Sequence, residues 1–175
     1  QSELLDSSDI HYVVVLGGSK SAADVAYASV KAGKKVQWII RTSGTGPPWF
    51  VPVYGLGGMA NCSADALWVR LMTPLLASIF AESGFVSRFL YRSWPGQLIF
   101  WMFWNFVAFA LSLVTNYTRA EGRKNGFHNL KPDTAPFWSN DSTSVDNKAD
   151  FLDTIARNVQ VFREEVFAIH EHSVE

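Results

Sequence analysis

Five consecutive residues, Gly17-Gly18-Ser19-Lys20-Ser21, stand between the apolar run Tyr12-Val13-Val14-Val15-Leu16 and an alanine-rich stretch. A turn that joins a strand to a helix exposes the free N–H groups of the first helical turn, and the helix dipole adds partial positive charge there. Such a turn can cradle a pyrophosphate, and glycines let the chain reverse sharply and approach the phosphate closely. Read as a dinucleotide fingerprint, Gly17, Ser19 and Ala22 give G-x-S-x-x-A. Alanine at the third position still allows close helix–strand packing; serine at the second is a departure, though it is small and its hydroxyl can donate to phosphate. Lys20 adds complementary charge. Gly17, Gly18, Ser19, Lys20 and Ser21 are the candidate pyrophosphate ligands.

Arg41 is the second chemically informative position. An acidic residue at the end of the second strand binds the ribose hydroxyls of NAD, whereas an arginine there accommodates the additional phosphate of NADP. The segment "QWIIRTSG" puts Arg41 at that point, 24 residues after Gly17, which favours NADP(H) over NAD(H). The bland counterpart is a ligand-free α/β turn with Arg41 in a surface ion pair.

These residues need a strand, a helix and a second strand to position them. Tyr12 to Leu16 reads as a short buried strand, Ser19 as a helix cap, Ser21 to Ala32 as a helix closed by Gly33, and Val36 to Ile40 as the next strand. That is one βαβ unit. Residues 41–58 contain three prolines and five glycines, an irregular excursion from the sheet. Helical periodicity returns over 64–92, carried by Leu67, Leu71, Leu75, Leu76 and Ile79. Twenty-six uncharged residues then separate Arg92 from Arg119. "KADFLDTIARN" reads as a short helix, and Val159 to Val174 alternates well enough for one or two strands.

The expected fold class is α/β: a partial Rossmann-like βαβ nucleotide-binding domain with an aromatic-rich helical insertion. Its expected parts are the βαβ unit at 9–45, a Gly/Pro loop and helical aromatic insertion at 46–120, a polar loop at 121–149, and a helix and strands returning to the sheet at 150–175.

The chain has 175 residues, enough for one domain with a real core and short for a two-domain enzyme. A net charge of −1 and a pI near 6.5 make no electrostatic case for nucleic acid. Cys62 is the single cysteine, so no internal disulfide forms and a reducing, cytoplasmic compartment is the default expectation. The chain opens on Gln1 without a basic-then-apolar leader, so no signal peptide is expected, and it reads as a piece of something longer.

The segment "VVVLGGSKSAADVAYASVKAGKKVQWIIRTSGTGPPW" resembles the NADPH-binding segment of fungal FAD- and NADPH-dependent flavin monooxygenase-like proteins. In that group the turn often reads Gly-x-Ser-Lys-Ser, and the second strand ends in a Trp-Ile-Ile-Arg-like sequence before Ser-Gly-x-Gly-Pro. The likeness continues through the aromatic insertion, Leu130 to Trp138, and Asp150-Phe151. It implies an enzyme in which NADPH reduces FAD and the reduced flavin activates O₂ to oxygenate a small organic substrate. It also implies an FAD domain with its own glycine fingerprint. Gly55-Leu56-Gly57-Gly58 follows Pro52 in the irregular region and reads as a coincidental loop, so this chain is expected to be the NADPH-binding part and catalytically silent alone. A non-oxygenating FAD/NAD(P) reductase is one alternative; another is a membrane-associated or interaction protein whose glycine turn is only structural. Catalytic residues are not identified.

Other features compete for attention. Tyr27-Ala-Ser-Val-Lys31 matches the Tyr-x-x-x-Lys pair of short-chain dehydrogenases, but it lies on the helix directly after the glycine turn, so the spacing reads as accidental. His170 and His172 share a strand face without further ligands, so no metal site is expected. Nothing around Cys62 lowers its pKa. The three Asn-x-Ser/Thr matches at Asn61, Asn116 and Asn140 carry no weight. Residues 98–115 fall just short of a bilayer span, flanked by Trp94 and Tyr117. Trp101, Asn105, Ala108, Ser112 and Thr115 form a polar and small stripe suited to packing on protein. Phe103, Phe106, Phe109 and Leu113 form a large face for the FAD domain, a substrate tunnel or a membrane surface.

Overall fold

A computed structural model of the protein describes residues 7–44, 46–52, 85–136, 144–146 and 148–169. Strand β1 (Tyr12–Leu16), helix α1 (Lys20–Lys31) and strand β2 (Lys35–Ile40) follow one another as the sequence predicts. After β2 come β3 (Phe50–Pro52), α2 (Phe85–Arg92), α3 (Trp94–Thr115), β4 (Ser144–Asp146), α4 (Phe151–Asn158) and β5 (Val159–Arg163). Strands β1, β2 and β5 form a wholly parallel sheet in the order β1-β2-β5, so β5 rejoins the sheet after an excursion of more than a hundred residues. The architecture is α/β.

Period-two side-chain alternation sorts the sheet into two faces. The register places Val15 beside Trp38 and Trp38 beside Val161, while Val36 pairs with both Val13 and Val159. Val15, Val36, Trp38, Ile40, Val159 and Val161 are buried under the helices. Helix α1 meets this face through Ala22, Ala23, Ala26 and Ser29, whose small side chains let its backbone lie close to β1 and β2. Helix α4 adds Phe151, Ile155 and Ala156, and packs beside α1. The expectation of a buried first strand is met on one side only: Tyr12, Val14 and Leu16 are exposed on the opposite face.

The polar segment after Arg119 contributes more than a loop. Phe127 and Leu130, in the second of two 3-10 turns (Ala120–Gly122 and Phe127–Leu130), are fully buried in the sheet core. Val161 N donates to Asn125 O at 2.8 Å and Asn129 Nδ2 donates to Val161 O at 2.8 Å, so this segment satisfies the outer edge of β5. Gly126, at φ +70°, permits the approach, because a β-carbon there would overlap the Val161 carbonyl. The Asn125 side chain also donates to the Ala156 and Arg157 carbonyls at the end of α4.

A second, smaller cluster joins Trp49 and Val51 to Trp104, Val107 and Leu111 of α3. Strands β3 and β4 pair in parallel beside it. Helix α3 starts at Ser93, whose hydroxyl accepts from Gly96 N at 3.1 Å, and ends at Asn116 in the left-handed region, φ +47°. Its buried ridge is Trp104-Val107-Leu111-Thr115, with Phe103 and Ala108 partly buried against it; of the expected small-residue stripe Thr115 is covered and Ala108 partly so, while Phe103 of the expected large face packs inward. Trp101 and Asn105 are exposed, and Asn105 Nδ2 turns back to Trp101 O at 2.8 Å. Large side chains win this face because Trp49 and Val51 present a wide apolar surface to fill. Of the helix expected over 64–92, residues 85–92 are helical and 64–84 lie outside the described residues.

Candidate functional site

The glycine turn is built by the strand below it. Gly17 N donates to Ile39 O at 2.9 Å, extending the β1–β2 ladder one residue, and Trp38 Nε1 donates to Gly17 O at 2.6 Å from a fully buried indole. Gly17 adopts φ +110°, a conformation glycine takes without strain. At Gly18 a β-carbon would come 3.1 Å from Ile40 Cγ2 and 3.3 Å from Gly46 O, so the second glycine answers to packing beneath the turn. Ser19 stands at the N-cap, as the sequence predicts, with extended backbone and no side-chain cap hydrogen bond. The first helical bond is Ala23 N to Ser19 O. The N–H groups of Lys20, Ser21 and Ala22 therefore have no helical acceptor, and Ser19, Lys20 and Ser21 are exposed around them.

Parallel pairing of β1 with β2 brings Arg41 to the same, carboxyl-terminal edge of the sheet as this turn. The Arg41 side chain is exposed and lies over Gly44, with Nε and Nη2 3.4 Å from where a β-carbon of that glycine would be. No hydrogen bond or ion pair holds the guanidinium among the described residues. The next two residues are engaged: Thr42 Oγ1 and Ser43 N donate to Glu165 Oε1 at 2.7 and 2.9 Å. These donors, the Thr42 hydroxyl foremost, hold the Glu165 carboxyl below the usual carboxylate range. Sequence reading missed Glu165. It sits two residues beyond β5, and only the β2–β5 register, continued by Glu164 N to Ile40 O at 3.1 Å, brings it beside the Arg41 loop.

An open cleft of about 500 Å³ lies at the carboxyl ends of β2 and β5, lined by Thr42, His128, Asn129, Lys131, Asp133 and Arg163 among others. Arg163 organises its floor: Nη1 pairs with Asp133 Oδ2 at 3.0 Å, Nε donates to Asn129 O and Nη2 to Lys131 O. The glycine turn does not line this cleft, whereas Thr42, the residue after Arg41, does. In open parallel sheets, ligands bind beyond the carboxyl ends of the strands.

Geometry gives Tyr27 and Lys31 a structural task. Tyr27 Oη and Lys31 Nζ both donate to Asp150, at 2.7 and 2.5 Å, tying α1 to the start of α4, while Lys148 Nζ lies over the Tyr27 ring. Lys31 and then Tyr27 lower the Asp150 carboxyl to about 2. Its hydrogen bond with Asp150 raises Tyr27, opposite to what a proton-relaying phenol needs. Gly55 to Gly58, Cys62, His170 and His172 lie outside the described residues. Among the described residues, no three His, Cys, Asp or Glu side chains gather as a metal site.

The site thus defines a class: a parallel α/β unit with a glycine turn, an uncapped helix start and a free arginine on one sheet edge. Its relatives narrow that class. A protein named FAD-dependent monooxygenase from Pyrenophora dematioidea is 32% identical over 133 residues, 74% of this chain and 23% of its own length. FAD-dependent monooxygenase rstn6 of Aspergillus nomiae is 28% identical over 173 residues, 94% of this chain and 29% of its own. FAD-dependent monooxygenase DEP4 of Fusarium langsethiae is 27% identical over 173 residues, 96% and 29% respectively. The chain is similar to fungal FAD-dependent monooxygenases over most of its own length and spans less than a third of theirs. No family model and no solved structure matches it.

Proposed function

We propose that the chain is the NADPH-binding part of a flavin-dependent monooxygenase, one half of a Rossmann-like domain. The single observation that carries this reading is the convergence of the Gly17-to-Ser21 turn and Arg41 at one sheet edge. The residues present fit the nucleotide. Unpaired N–H groups at Lys20, Ser21 and Ala22 face the region where a pyrophosphate binds, and Lys20 adds charge. Arg41 is free to pair with a 2′-phosphate, and the Thr42–Ser43 donors already accommodate an oxyanion, the Glu165 carboxylate. FAD, when bound, supplies the redox and oxygen chemistry; the protein's task is to bind, orient and exclude water. FAD would be held mainly by the rest of the polypeptide, consistent with the relatives' greater length, and the substrate is a small organic molecule.

Spectroscopy of the full-length protein tests the assignment. A flavin spectrum bleached by NADPH, with O₂ consumed and oxygenated product formed, is the expected result. A colourless protein, or one whose NADPH oxidation yields no oxygenated product, rules it out. Arg41→Ala should weaken NADPH binding by about tenfold while leaving NADH within about twofold, since only the former carries the group a guanidinium clasps. Equal affinities for the two nucleotides, unchanged by the substitution, would remove the cofactor assignment.

One observation favours a second reading for part of the chain. Helix α3 is long and apolar enough to cross a membrane, and little of it is buried. Its outer face, with Phe106, Phe109 and Leu113 exposed, would meet a membrane surface or the flavin-binding remainder of the protein. Extraction only with detergent would support the membrane contact.

A further inference from the structure

The loop that follows β2 already holds an anion, and that anion belongs to the chain itself. Thr42 Oγ1 and Ser43 N converge on one oxygen of Glu165. A hydroxyl and a backbone N–H aimed at a single oxygen suit a phosphate oxygen as well as a carboxylate. Strand pairing, continued by Glu164 N to Ile40 O, sets where Glu165 emerges, so its placement is a property of the sheet edge. The side chain is nevertheless exposed and can swing away. Arg41, immediately before these donors, makes no ion pair with it.

We propose that Glu165 is a specificity-determining residue: its carboxylate occupies the Thr42 and Ser43 donors as an internal substitute for a ribose 2′-phosphate, which binds only by displacing it. Two ionised oxyanions cannot share the same two donors without strong repulsion, and the lowered Glu165 carboxyl stays ionised near neutral pH. A ribose 2′-hydroxyl, in contrast, can donate to the carboxylate where it stands. Glu165 therefore opposes the preference that Arg41 confers, and the balance between them sets how strongly the protein separates phosphorylated from unphosphorylated nucleotides. This inference rests on the nucleotide reading of the glycine turn and Arg41.

Isothermal titration calorimetry on the full-length protein tests it without any turnover, with adenosine 2′,5′-bisphosphate and adenosine 5′-monophosphate as probes. Glu165→Gln should tighten the bisphosphate by about tenfold, the weight of one charge-assisted contact at an exposed site. The monophosphate should stay within about threefold and become no tighter, because it gains nothing from the removed charge. Adding Thr42→Val to Glu165→Gln should weaken the bisphosphate again, since the phosphate then loses the donor it takes over. If wild type binds both probes and Glu165→Gln leaves their ratio unchanged, Glu165 has no such role while the nucleotide reading stands. If neither probe binds wild type or variant, the nucleotide reading falls and this proposal falls with it.

Discussion

The sheet unit and helix α3 use apolar residues in opposite ways. In the sheet unit, alternation along three short strands and small-residue stripes on α1 send one face inward. Trp38, Ile40, Val159 and Ile155 are at most 1% exposed. Helix α3 is long and strongly apolar, yet Trp101, Phe106, Phe109 and Leu113 are all more than 60% exposed. Hydrophobic content does not by itself predict burial; burial needs a partner surface. The sheet finds one in α1, α4 and the 120–130 segment, while among the described residues α3 is covered by Trp49 and Val51 on one face and by α2 near its start, where the Tyr91 and Phe100 rings meet. The candidate nucleotide-binding residues sit on the sheet unit. The larger exposed apolar surface among the described residues sits on α3.

That contrast can be broken at the indole beneath the turn. Trp38→Ala should destabilise the protein by about 3–5 kcal/mol in denaturant unfolding, because it empties the centre of the sheet core and leaves Gly17 O without its buried donor. A loss under 1 kcal/mol would show that the unit is held elsewhere.

Arg119 is the joint between the regions. Its side chain donates to Thr115 O and Asn116 O at the end of α3, pairs with Asp153 of α4 at 2.5 Å, and covers the Phe127 ring. Arg119→Ala should cost about 1.5–3 kcal/mol, the scale for hydrogen bonds to a charged group. Hydrogen exchange should rise at the carboxyl end of α3 more than in β2. Uniform exchange across both elements would mean that the two regions unfold as one.

The smallest stability effect belongs to the outer face of α3. Phe106→Ser with Phe109→Ser should change unfolding free energy by about 0.5 kcal/mol or less, as expected for exposed positions. The same pair should markedly reduce partition into lipid vesicles or detergent if that face meets a membrane. Marked destabilisation instead would place this face inside the full-length fold.

Much of the α/β unit was legible because its signals are local. The β1-turn-α1-β2 order follows from β-branched runs, the two glycines and helical spacing, each within a few residues of the element it specifies. Arg41 is legible for the same reason, since it directly follows the second strand of that unit. Glu165 was not, because its relation to Thr42 and Ser43 spans 123 and 122 residues and depends on which strand neighbours β2. The segment at 120–130 read as polar for a similar reason. Its asparagines satisfy the β5 edge and the end of α4, needs that exist only once those elements are in place. On α3, composition identifies the helix, but the face that packs is set by Trp49 and Val51, which lie more than fifty residues earlier in the chain than the ridge they cover.

By itself the sequence determined the strand–turn–helix–strand unit, the glycines that permit its turn, and the basic residue at the next strand end, since short-range sterics and periodicity act within one element. Only the tertiary structure decided that β5 lies beside β2, that Glu165 therefore reaches the Thr42–Ser43 donors, and which ridge of α3 is covered. Those outcomes depend on which distant surfaces meet, and pairing across more than a hundred residues is governed by the packing of the whole sheet.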